Sequence, residues 1–136
     1  MSGYEQLPLI TSITIMARIL FIDDDTLTLQ LMQRITGLLG HEAILCSTAA
    51  EAFKMAVDEK PGLILVDFSL TDSDGIEVIQ NLHRQPITAH IPILVLSAGI
   101  TSKTAEAAKK AGAKGCLEKP LSLDLLSQVI KNYASN

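Results

Sequence analysis

Residues Arg18-Ile19-Leu20-Phe21-Ile22-Asp23-Asp24-Asp25 pass from an unbroken apolar run straight into three acids. The reading of that stretch decides the fold. A short apolar run without alternation suits a strand buried on both faces, as in a parallel sheet covered by helices on each side. The pattern returns at Leu63-Ile64-Leu65-Val66, which ends at Asp67, and at Ile93-Leu94-Val95-Leu96, which ends at Ser97. It recurs in shorter form over Gly115 to Glu118, ahead of Lys119-Pro120.

Between these runs lie segments of helical period. Leu27, Leu31, Ile35, Leu38 and Leu39 recur at helical spacing over about 26–39, and Gly40 stands where a helix would stop. A further strand is predicted over Ala43 to Cys46, and Ser47 or Thr48 can cap a helix over about 48–59. Ala52, Phe53, Ala56 and Val57 would form its buried face. Pro61-Gly62 marks a turn. Helices are also predicted over about 75–84, 102–111 and 122–133, the second stopping at Gly112. Five strands alternating with five helices predict an α/β fold, a doubly wound parallel sheet of order 2-1-3-4-5.

Composition narrows the function classes. The chain has 136 residues, enough for one domain, with 48% hydrophobic and only 19% charged residues, which argues against disorder. No apolar run approaches the roughly 20 residues of a membrane span. Net charge is −4 and pI about 5.2, a poor footprint for nucleic acid. Cys46 and Cys116 lie far apart without metal-ligand spacing. Both fall in strands predicted to be buried, where a free thiol is expected, and a reducing cytoplasm is the expected compartment. His41, His83 and His90 show no ligand spacing, and Lys103, Lys109 and Lys110 read as a solvated helix face.

Residues 1–16 are expected to form an extension outside a domain spanning 17–136. They hold no Lys or Arg, so they lack the basic start of a secretory signal. An upstream start, a vector-derived leader and a mobile extension all fit, and Leu7 to Met16 could add a strand or pack on a neighbour.

In an open α/β sheet, ligands bind beyond the carboxyl ends of the strands, where the strand order reverses. With order 2-1-3-4-5 that point lies between the first and third strands. Asp23, Asp24 and Asp67 would converge there, flanked by Ser97 and Lys119. Clustered carboxylates repel one another, and a divalent cation relieves the repulsion. Oxygen-only ligands with open positions suit Mg²⁺, which keeps waters and accepts phosphate oxygens. Asp67 would attack phosphorus, Mg²⁺ would spread the charge of the transferring group, and Lys119 and Ser97 would contact its oxygens.

These residues resemble the response-regulator receiver family of two-component signalling, from about Ala17 to Asn136. The matching pieces are the Asp23-Asp24-Asp25 stretch, Leu63 to Asp67, Asp74-Gly75, Leu96-Ser97-Ala98 and Lys119-Pro120. Each is weak alone, but five in order at strand ends are specific. The resemblance implies that a sensor histidine kinase or histidine phosphotransfer protein phosphorylates Asp67. It implies Mg²⁺ at Asp23, Asp24 and Asp67, with the Ser69 main-chain carbonyl as a further ligand. It assigns Lys119 and Ser97 to the phosphoryl group, and the face of the fourth helix, fifth strand and fifth helix to signalling toward a downstream protein. The expected protein is a stand-alone switch or phosphorelay shuttle. It would be no enzyme beyond its own phosphorylation and slow dephosphorylation.

The chain departs from the family pattern at three places. Thr71 stands where Pro is usual, and Cys116 where Tyr or Phe is frequent. Ser69 and Gly99 occupy positions that tune phosphoryl lifetime, and small side chains there leave access for water. Two other functions fit parts of the pattern. Asp23-Asp24-Asp25-Thr26 can be read as the Asp-x-Asp signature of a haloacid dehalogenase-type enzyme, with Asp23 as nucleophile and Asp25 as acid. The acidic pair expected after the lysine of such an enzyme is missing, since only Leu121-Ser122-Leu123-Asp124 follows. A pseudo-receiver used only for docking would keep the fold and fail to take up phosphate.

Overall fold

The computed structural model describes residues 16–68, 70 and 75–134. Strands and helices alternate through them: β1 (Arg18–Ile22), α1 (Thr26–Leu38), β2 (Glu42–Cys46), α2 (Ala49–Glu59), β3 (Leu63–Asp67), α3 (Gly75–Arg84), β4 (Ile93–Ser97), α4 (Ser102–Ala111), β5 (Gly115–Glu118) and α5 (Leu123–Val129). The predicted helix 122–133 is α-helical only to Val129 and widens into a π-helical turn over Ile130–Ala134. The expected extension, except Met16, lies outside the described residues, as do Ser69, Thr71 and Asp74. No helix among the described residues is long and apolar enough to cross a membrane.

All five strands run parallel in the predicted order, β2-β1-β3-β4-β5. Successive side chains of a strand point to opposite faces of a sheet, and here both faces are apolar. Ile19, Phe21, Leu63, Leu65, Leu94 and Leu96 face one layer, closed by Leu29 and Met32 of α1 and Leu126 and Val129 of α5. Leu20, Ile22, Ile64, Val66, Ile93 and Val95 face the other, closed by residues of α2, α3 and α4, among them Ala52, Ile79, Leu82 and Ala108. That explains the unbroken apolar runs: neither face of these strands meets water.

Local chemistry sets the helix ends. The Thr48 hydroxyl accepts the Glu51 amide hydrogen at 3.3 Å, so α2 begins one residue later than expected. Thr101 and Thr104 form a reciprocal cap at the start of α4, and Ser122 caps α5. Gly40 (φ 83°) and Gly112 (φ 124°) leave their helices through backbone that favours glycine. Arg18 ties β1 to its surroundings through Glu42 at 3.0 Å and Glu59 at 2.7 Å, and it also donates to the Glu59 carbonyl.

The inward face of α1 differs from the apolar recurrence in the sequence. Leu29, Met32 and Thr36 are buried, with Ile35 and Leu39 partly so. Leu27, Leu31 and Leu38 are 75%, 45% and 74% exposed. At about 100° per residue these three lie roughly half a turn from Leu29. Leucines occupy both sides of the helix, so spacing alone does not say which side meets the sheet. Cys116 also departs from expectation. It lies on the edge strand β5 and is only half-buried, whereas Cys46 is buried; neither is in a disulfide.

Candidate functional site

Parallel register brings the site together. Ile22 of β1 is level with Val66 of β3, so the next residues, Asp23 and Asp67, stand abreast on neighbouring strands. Asp67 is level with Leu96 of β4, which places Ser97 one step beyond it. Ser97 is level with Glu118 of β5, and the Lys119 amide donates to the Ser97 carbonyl at 2.8 Å. The four predicted strand-end residues therefore share one end of the sheet, at the β1/β3 switch point.

The carboxylates are held close. Asp23, Asp24 and Asp67 each offer an oxygen, and these three lie within 4.8 Å of one another. Asp23 and Asp67 are buried at 2% and 8% exposure, and Asp24 is more open. The Asp25 amide donates to Asp23 Oδ1 at 2.9 Å, which fixes the Asp23 side chain. The Lys119 ammonium bridges the pair, 3.0 Å from Asp23 Oδ2 and 3.3 Å from Asp67 Oδ1. Burial pulls the Lys119 ammonium toward losing its proton. The neighbouring carboxylates of Asp23 and Asp67 oppose this and prevail, so its pKa lies above the ordinary lysine value.

This donor set fits a hard divalent cation. Opposite ligands of an octahedral Mg²⁺ site are about 4 Å apart, close to the span of these three oxygens. All three donors are carboxylate oxygens, and the cluster opens toward solvent on the Asp24 side. Ser69, the fourth expected ligand, lies outside the described residues.

Two details of the site were not read from the sequence. Asp25 stands at the N-terminus of α1 without a side-chain cap bond, and its carboxylate takes the Thr28 hydroxyl hydrogen at 2.5 Å. That bond is the main reason its pKa lies below the ordinary carboxylate value. Its main-chain amide meanwhile anchors Asp23, a role open to any residue but proline at that position and so not signalled by the acidic side chains. Secondly, the Ser97 hydroxyl donates to the Gly99 carbonyl at 2.8 Å and accepts the Gly99 amide hydrogen at 3.4 Å. It is engaged in its own turn at the rim of the site.

Gly75 packs underneath. Its amide donates to the Phe68 carbonyl at 2.9 Å, and a Cβ at this position would stand 2.5 Å from the Asp67 carbonyl oxygen. The glycine is needed for α3 to start against the end of β3.

The chain is similar to known proteins in sequence and in fold. The chain is 27% identical over 115 residues to the polar-differentiation response regulator DivK of Brucella anthropi, covering 85% of this chain and 94% of that protein. It superposes on a CheY-like response regulator receiver domain protein from Methanospirillum hungatei with a TM-score of 0.79 at 26% identity, covering 87% and 93% of the two chains. The chemotaxis response regulator CheY4 of Vibrio cholerae shares the fold at a TM-score of 0.80 and 24% identity, covering 87% and 98%. The model of the response regulator receiver domain matches residues 19–131, which takes in every strand end described above. The chain is a member of the response regulator receiver domain family.

Proposed function

We propose that Asp67 accepts a phosphoryl group from a phosphohistidine, carried by a sensor histidine kinase or a histidine phosphotransfer protein, and that this switches contacts with a downstream protein. Receiver domains are phospho-accepting switches in two-component signalling, and the family typically binds Mg²⁺ in an acidic pocket. The observation that carries the reading is the convergence of Asp23, Asp24 and Asp67 oxygens within 4.8 Å, with Lys119 against two of them.

Asp23, Asp24 and Asp67 would hold the Mg²⁺, with the Ser69 main-chain carbonyl as a further ligand. When bound, the cation supplies positive charge against the oxygens of the transferring phosphoryl group. Asp67 supplies the carboxylate oxygen that forms the new O–P bond as the P–N bond to the donor imidazole breaks. The electron pair leaves with that nitrogen. Lys119 would hold an oxygen of the transferred group, moving from its present partners Asp23 and Asp67. Ser97 would reach another oxygen by giving up its bond to Gly99.

Phosphorylation adds about −1.5 to −2 charge beside buried acids, enough to shift the loops around them. The face of α4, β5 and α5 would pass that change on. Cys116 stands there in place of a large aromatic side chain, so the relay to this face would not depend on a ring turning inward. The reducing cytoplasm is the compartment this reading implies, with residues 17–136 acting as the receiver and residues 1–16 outside it.

Incubation with Mg²⁺ and acetyl phosphate, followed by intact mass measurement, tests the reading. The expected result is a gain of one phosphoryl mass in the wild-type chain, absent from Asp67→Asn and from Mg²⁺-free samples. No gain despite demonstrated Mg²⁺ binding would make the chain a docking module. A gain that survives Asp67→Asn would move the acceptor elsewhere.

A further inference from the structure

A cleft opens at the end of the sheet opposite Asp67, between the last turn of α2 and the loop that leads from α3 into β4. Val57, Pro61, Ile87 and Ile91 form its apolar walls, and Lys60 and His90 are the ionisable residues on it. It encloses about 310 Å³, the small end of the roughly 300–1,000 Å³ range of ligand sites. Pro61 and Ile91 are buried, while Ile87, 56% exposed, leaves apolar surface open to solvent.

Lys60 is unusual. It ends α2 with φ 50° and ψ 57°, left-handed backbone that favours glycine. It does so directly before Pro61, where extended backbone is the ordinary choice. Among the described residues it is the single non-glycine position with positive φ. Strained positions of this kind gather at functional sites. The helix dipole favours a cation at this end of α2, but it does not call for apolar walls or for His90 beside the lysine. The acids that precede Lys60 are taken: Asp58 pairs with Lys54 at 2.5 Å, and Glu59 pairs with Arg18 at 2.7 Å. No acid lines the cleft among the described residues. In a chain of net charge −4, an apolar recess carrying Lys60 and His90 is complementary to an anion with an apolar body.

We propose that this cleft is a binding site for a small organic carboxylate with an unbranched apolar chain. The apolar chain lies along Val57, Ile87 and Ile91 and leaves water there. The carboxylate stays at the rim, accepting hydrogen bonds from the Lys60 ammonium and from a ring N–H of His90, which a neutral imidazole also supplies. A protein partner fits less well, because a recess of this size offers far less than the roughly 800 Å² per partner of a stable interface. The site lies apart from the Asp67 pocket and stands whether or not Asp67 accepts phosphate.

NMR of the full chain with methyl-labelled isoleucine tests the proposal, with sodium octanoate as the probe. 1-Octanol and octylamine are the uncharged and cationic controls. Octanoate is expected to move the Ile87 and Ile91 methyl signals saturably at about millimolar concentration or below, and to bind about 10-fold more tightly than either control. The isoleucine signals away from the cleft should stay in place, which reports an intact fold. Lys60→Met keeps an apolar stem without the charge and should weaken octanoate about 10-fold while leaving octanol unchanged. Lys60→Gly should weaken octanoate as much and raise the urea midpoint, since glycine suits the left-handed backbone. Octanol binding as tightly as octanoate would overturn the proposal, and so would octanoate affinity unchanged in both Lys60 variants. No movement of either methyl signal at about 10 mM octanoate would overturn it outright. Nuclear Overhauser contacts from these methyl groups to residues 7–15 of the free chain would overturn it too, assigning the cleft to the chain's own start.

Discussion

Gly75 lies so close to Asp67 that a methyl group cannot be added between them: a Cβ would stand 2.5 Å from the Asp67 carbonyl oxygen and 3.1 Å from the Phe68 Cα. The obstructing atoms are backbone at the end of a buried strand, so relief requires α3 or the end of β3 to move. Gly75→Ala is expected to cost about 1–3 kcal/mol of stability and to slow acetyl phosphate labelling by displacing Asp67. Urea denaturation and initial labelling rates check both. Wild-type values in each would show that the strand end tolerates the shift.

The orientation of α1 makes an opposed pair of expectations. Leu29→Ala removes a side chain packed against the sheet and should cost about 2–4 kcal/mol. Leu27→Ala and Leu38→Ala remove exposed side chains and should stay within about 0.5 kcal/mol of wild type. Equilibrium unfolding of the three variants decides it. A large loss at Leu27 with little at Leu29 would mean that the helix is turned the other way.

Lys119 neutralises part of the negative charge that Asp23 and Asp67 bring together. In Mg²⁺-free buffer, Lys119→Met should destabilise the fold by about 1–3 kcal/mol, less than for a fully enclosed pair because the lysine retains some exposure. Adding Mg²⁺ should restore part of that loss, since the cation replaces the missing charge. Melting curves with and without Mg²⁺ provide the comparison. A variant as stable as wild type in both buffers would show that the carboxylates do not need a counter-charge.

Burial raises the pKa of the Cys116 thiol, and the nearby charge of Lys109 offsets only part of the effect. A raised thiol pKa leaves less reactive thiolate at neutral pH. Alkylation of Cys116 by iodoacetamide, followed by peptide mass mapping, should therefore titrate at higher pH in the folded protein than in urea. The difference between the two should be largest below the ordinary thiol pKa and should narrow above the raised one. Coincident pH profiles would contradict the burial of this thiol.

Much of the architecture was legible because the sheet is covered on both sides. Strands such as Leu63–Val66 cannot alternate with polar residues when neither face meets water, so they read as short apolar runs. Turn and cap residues were legible for a similarly local reason: Thr48 and Gly112 satisfy conformational needs at single positions. The convergence of Asp23, Asp24 and Asp67 followed once the strand order was assumed, because register carries strand ends to one edge.

The tertiary structure decided what local pattern leaves equivalent. On α1 leucines lie on opposite sides, and only packing against the sheet and α5 selected Leu29 and Met32 as the inner set. The Ser97 hydroxyl can meet a ligand or its own turn from the same strand end, and in the fold it bonds Gly99. Lys119 meets Asp23 across 96 positions of chain, a contact set by strand register and by the turn after β5. Sequence by itself determined that the central strands are buried and which polar groups end them, since those are periodic and local consequences of solvent exclusion. The half-exposure of Cys116 came instead from its place on the edge strand β5. Which apolar face turns inward, and which polar groups touch, depended on three-dimensional packing, because a one-dimensional pattern does not distinguish surfaces of equal hydrophobicity.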